Sequence, residues 1–106
     1  MRLSPTRSQK ETPMPLYAII CKDKPGALDT RLATRPTHLD YLNASKNLKL
    51  AGALLDDAGS PIGSIIVVEA EDLAGAQAQA DGDPFTAAGV FESVEVHPWR
   101  LAIGSL

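Results

Sequence analysis

The chain holds 106 residues, which suits one domain and is too short for two independent cores. Apolar residues make up 44% of it but aromatic ones only 5%, so the core must be built from Leu, Ile, Val and Ala. Arg2, Arg7 and Lys10 against Glu11 give the first 13 residues +2, which leaves −5 of the total −3 for the body; an acidic body poor in aromatics argues against nucleic-acid binding.

In chain order, residues 1–13 are basic and hydroxylated but lack the apolar stretch of a secretory signal. They are expected to form a disordered extension, with Met14 available as a second start, and residues 14–106 to form the domain. Leu16 to Cys21 is a short, nearly unbroken apolar run with β-branched residues, closed by the turn cluster Lys22-Asp23-Lys24-Pro25-Gly26; it predicts a buried strand. Cys21 stands alone, so no intrachain disulfide can form; its reading is a buried inert thiol in a reducing, cytoplasmic compartment. No apolar run approaches the roughly 20 residues that span a bilayer, so no membrane association is expected.

Leu28 and Leu32, and Arg31 and Arg35 on another face, recur at a spacing of four and predict helix. Pro36 lacks an N–H and disfavours αR at the residue before it. It therefore predicts either a kink or a fresh start capped by Thr34, with helix continuing through Leu39 and Leu42 to about Lys46. Residues 47–54 read weakly as a strand, Asp56 to Pro61 as a turn, and Gly63 to Glu69 as the best strand in the chain, together a hairpin. Asp72 caps an Ala-rich helix over 73–80, Gly82-Asp83-Pro84 stops it, and a short helical turn follows. Val90 to His97 alternates as a half-buried strand, sending Val90, Val94 and Val96 one way and Phe91, Ser93, Glu95 and His97 the other.

The order β-α-β-β-α-β describes an α+β, ferredoxin-like split βαβ domain, both helices on one face of an antiparallel sheet. The other face needs cover, and homodimerisation supplies it most economically.

Chemistry concentrates at two places. His38, in Arg35-Pro36-Thr37-His38-Leu39, would lie in the first turn of a helix starting near Thr34. The partial positive charge there would favour neutral imidazole, the form that accepts a proton. The plain alternative is a structural or exposed histidine. Asp83, in Gly82-Asp83-Pro84-Phe85, is by its position a helix cap; in this fold it could also hydrogen-bond His38 and fix its tautomer. Arg31 and Arg35 could receive an anionic group or simply pair with surface carboxylates. Ser64 could donate to a ligand or end a turn. His97 has no ligand spacing with His38, so no metal and no other cofactor is expected. Gly-rich phosphate loops, CxxC pairs and GxSxG elbows are absent from the sequence.

Taken together, the apolar first strand, Arg35-Pro36-x-His38-Leu39, Gly52, Gly63-Ser64, Asp83-Pro84-Phe85 and Ala88-Gly89-Val90-Phe91 resemble the YciI-like (YCII-related) family over residues 14 to about 100. The resemblance implies a dimeric α+β barrel with a cleft near a histidine–aspartate pair, whose positions His38 and Asp83 occupy. It implies the site more than any one reaction. The leading expectation is a small cofactor-independent enzyme. In it a His38–Asp83 dyad performs acid–base chemistry, isomerisation or elimination, on a small organic acid or hydroxylated aromatic held by Arg31, Arg35 and Ser64. The alternative is a binding or regulatory module without chemistry.

Overall fold

A computed structural model describes residues 14–106, so the expectation for residues 1–13 lies outside the described residues. The apolar run at the start forms β1 (Leu16–Asp23), two residues longer than predicted, with Tyr17, Ala18, Ile19 and Cys21 buried. Burial on both faces explains why it reads as a run and not as an alternation. It is followed by α1 (Leu28–Ala44), β2 (Leu48–Leu55) and β3 (Pro61–Glu69). Then come α2 (Leu73–Asp81), the single turn α3 (Pro84–Ala87) and β4 (Phe91–Trp99). The sheet runs β2-β3-β1-β4 with every neighbouring pair antiparallel, and the helices lie on one side. This is the ferredoxin-like split βαβ arrangement, in which β3 slots between the parallel strands β1 and β2.

Register fixes the two faces. Tyr17, Ile19 and Cys21 of β1 and Ile66 and Val68 of β3 meet Leu42 of α1 and Ala76 and Ala80 of α2 in the main core. A smaller cluster of Ala27, Phe85 and Val90 adjoins it, and Phe91 packs against both.

Three expectations are corrected. Pro36 does not restart the helix, and Thr34 caps nothing: α1 runs unbroken across it. Proline forfeits one helical hydrogen bond, but α1 is held by burying Arg31, His38 and Leu42 along one stripe, while Pro36 itself is exposed. That stripe is the second correction. Of the leucines that suggested the helix, Leu42 faces inward, but Leu28, Leu32 and Leu39 are exposed, and two polar residues share the buried stripe with Leu42. Third, the β1–β4 register slips between Lys22 and Asp23, so that Ser93 pairs Lys22 but Phe91 pairs Asp23. The extra residue, Glu92, turns Phe91 onto the helix-covered face with Val94 and Val96, against strict alternation.

Among the described residues, no helix is long and apolar enough to cross a membrane.

Candidate functional site

The inward stripe of α1 opens onto a cleft of about 370 Å³ between that helix and the β2–β3 hairpin. Arg31, Leu32, Arg35, His38 and Leu39 line it from α1, Ser64 and Ile66 from β3, and Phe85 closes it. A volume of this order takes a small organic molecule.

His38 is 7% exposed, in the third turn of α1 and remote from the helix N-terminus at Leu28, so the expected helix-end effect on its charge is withdrawn. Its partner is Asp83, 2% exposed: Nδ1 and Asp83 Oδ1 lie 2.8 Å apart. The same Oδ1 accepts the Phe85 backbone N–H at 2.9 Å, as the cap of α3. Cap and histidine partner, alternatives in the sequence, are one carboxylate doing both. A carboxylate only accepts, so Nδ1 is the nitrogen that carries a proton, and in the neutral ring the lone pair is on Nε2. Nε2 has no protein partner among the described residues.

Phe85 organises the site. The His38 ring stacks on it with centroids 3.9 Å apart at 15°, and the Arg31 guanidinium carbon lies 4.6 Å from its centroid. Arg31, far from being a surface cation, is buried and committed. Nη1 donates to Asp23 at 2.8 and 3.0 Å, and Nη2 donates to Ser64 Oγ at 2.8 Å. Arg35 lines the cleft, exposed and without an ion-pair partner among the described residues. Ser64 is 1% exposed, inside β3 and paired with Cys21 on one side and Ala53 on the other, not at a turn.

Beneath the site lies Cys21, whose thiol is pushed up from 9.0 to about 12, chiefly by burial and further by the Asp83 carboxylate, with Arg31 pulling the other way. Its burial agrees with the buried thiol the sequence suggested, and the raised pKa disfavours the reactive thiolate. His97 sits across the sheet, exposed, its Nε2 2.9 Å from Glu95. No three His, Cys, Asp or Glu side chains among the described residues cluster as metal ligands.

Asp23 and Phe85 escaped as site residues. The period of β1 carried the signal for Asp23, since Tyr17, Ile19, Cys21 and Asp23 share parity and hence a face. The turn cluster around Asp23 masked it.

The fold and the site thus combine an antiparallel ferredoxin-like sheet with a histidine–carboxylate pair behind a helix-walled cleft. The YCII-related domain profile matches residues 15–100, and the chain belongs to that family. Protein YciI of Escherichia coli O6:H1 (strain CFT073) is 40% identical over 94 residues, covering 80% of this chain and 96% of the relative. Protein YciI of Shigella flexneri gives the same figures. Among solved structures, 5-chloro-2-hydroxyhydroquinone dehydrochlorinase from Burkholderia phenoliruptrix AC1100, in complex with 2,5-dihydroxybenzoquinone, superposes with a TM-score of 0.74 and 32% identity, covering 82% of this chain and 95% of that one. A Nitrosomonas europaea protein of unknown function shares the fold at a TM-score of 0.54 and 22% identity, covering 88% and 96%.

Proposed function

We propose that this chain is a cofactor-independent enzyme in which His38 acts as general base and acid on a small hydroxylated aromatic or organic acid. The observation that carries the reading is the buried His38–Asp83 pair at the wall of the cleft, with Nε2 the ring nitrogen left for a ligand. Asp83 holds the tautomer and stabilises the imidazolium that forms when Nε2 takes a proton. The electron pair left behind enters the ring or an adjacent carbonyl. In an elimination from a hydroxylated ring, that pair takes a proton at the carbon bearing the leaving group, and loss of a second hydroxyl proton to His38 then expels the group with its bonding electrons and leaves a quinone; in an isomerisation His38 returns the proton to a different carbon. Neither route needs an external oxidant. The structural neighbour named for dehydrochlorination of a chlorinated hydroxyhydroquinone supports the hydroxylated aromatic class and the elimination.

Arg35 supplies the charge for an anionic group, because Arg31 is already neutralised by Asp23 and reaches the ligand through Ser64. We further propose a homodimer formed through the sheet face opposite the helices, and residence in the cytoplasm, where the lone Cys21 stays reduced.

The test is turnover of chlorinated hydroxyhydroquinones, followed by chloride release. His38→Ala is expected to lower kcat roughly 100- to 10,000-fold with the fold unchanged by circular dichroism. Unchanged turnover in that variant would overturn the role of His38. Retention of the compound by the wild type without conversion, seen by mass spectrometry, would make the chain a binding module.

A further inference from the structure

Ser64 Oγ is almost wholly buried, lines the cleft, and accepts a hydrogen bond from Arg31 Nη2. Among the described residues nothing accepts the proton of Ser64 itself. A buried hydroxyl with an unused donor is costly unless something else takes that donor. The cleft is where such an acceptor would sit. The direction of the hydroxyl is set from behind. Arg31 has donors only, so Ser64 must accept from it and is left to donate outward. Arg31 is in turn held by Asp23, through one guanidinium nitrogen 2.8 and 3.0 Å from the two carboxylate oxygens.

We infer that Asp23 is a positioning residue and that the chain Asp23–Arg31–Ser64 builds an oxygen subsite, in which Ser64 donates to a carbonyl or phenolic oxygen of the ligand. The chain deepens the reading of His38 as base, since such an oxygen gains negative charge when a proton is taken from a conjugated hydroxyl or from a carbon next to a carbonyl. Its charge balance sets the specificity. Asp23 and Arg31 cancel, so the subsite favours an uncharged or enolic oxygen, and a carboxylate goes to Arg35 instead. Nothing in the reading of the base requires this division.

The probe is 2,5-dihydroxybenzoquinone, a chromophore whose visible band responds to hydrogen bonding at its oxygens. Titrated into the wild type, it is expected to bind with a displaced band. Ser64→Ala should weaken binding about five- to tenfold, the loss of one hydrogen bond, and return the band toward its position in buffer. Asp23→Asn should show the same spectral change at smaller amplitude, which a purely structural role would not produce. If that variant does not fold, Asp23→Asn combined with Arg31→Met removes both buried charges together and spares the protein an unpaired one; it should lose the displacement too. His38→Ala should keep the displaced band while losing turnover, which separates the two readings. The subsite is overturned if Ser64→Ala binds with an unchanged band, or if the wild type leaves the quinone band where it stands in buffer, whatever the turnover assay gives.

Discussion

Asp83 shows how one side chain can be needed twice, and two substitutions pull the needs apart. Its Oδ1 caps α3 through Phe85 and faces His38 Nδ1. Asparagine caps about as well as aspartate and can still accept both hydrogen bonds, but it cannot offset an imidazolium charge. Asp83→Asn is therefore expected to keep its urea midpoint close to that of the wild type and to lose turnover at least 100-fold. Asp83→Ala should lose turnover and also about 2 kcal/mol of stability, because the cap goes and a buried Nδ1–H is orphaned. Equal turnover in the wild type and Asp83→Asn would reduce Asp83 to a cap. Cys21 gives the pH prediction at this scale. The unfolded thiol titrates near 9.0 and the folded one near 12, so between them the folded protein keeps a proton the unfolded chain has lost. Stability from this group is complete below pH 9 and drains away as pH rises toward 12. Urea midpoints should fall less steeply over that window in Cys21→Ala than in the wild type. At pH 8 a thiol reagent should label Cys21 only after unfolding.

Elements bring these residues together, and close approach of two of them depends on a glycine. A Cβ at Gly82 would stand 2.7 Å from the Tyr41 hydroxyl, which donates to the Gln79 carbonyl at 2.7 Å and ties α1 to the end of α2. Asp83 follows immediately. Gly82→Ala should cost about 1–3 kcal/mol through overpacking and lower turnover by moving Asp83 relative to His38; a urea melt and a rate measurement on the same preparation check both. Gly63 has a similar reason, since a Cβ there would run into the Cys21 carbonyl oxygen. How much of this was legible follows from the range of the interactions. Strand runs, the Asp72 cap and the Asp56–Pro61 turn are local, and their residues announce them. His38 and Asp83 stood out as types of residue, but their 2.8 Å contact spans 45 positions and only the folded chain makes it. The burial of Arg31 was illegible for a stronger reason. Its partners Asp23 and Ser64 come from two strands, and the periodicity of α1 favoured the leucines that remain at the cleft and in solvent. The β4 bulge was equally hidden, because alternation in one strand does not reveal a slipped pairing with its neighbour.

For the whole molecule, the face of the sheet away from the helices poses the remaining problem. Register puts Leu50, Ile65 and Trp99 there, with exposures of 42%, 38% and 37%, alongside half-buried Leu16 and Ile20. Large apolar side chains gathered on one open face favour a partner surface, and a second copy of the chain offers a face of the same character. In a two-fold interface each residue occurs twice, so a charge introduced at the centre is buried twice over. Ile65→Lys is expected to run as a single chain in sedimentation at concentrations where the wild type runs as a pair; a wild type that sediments as a monomer would overturn the dimer outright. The same variant asks whether the two faces act independently. Ser64 and Ile66, which line the cleft, point away from Ile65 along the same strand. The monomeric variant should therefore bind 2,5-dihydroxybenzoquinone with the wild-type affinity, measured by the same visible titration. If binding fell with the dimer while the circular dichroism stayed native, the partner chain would have to complete or support the cleft.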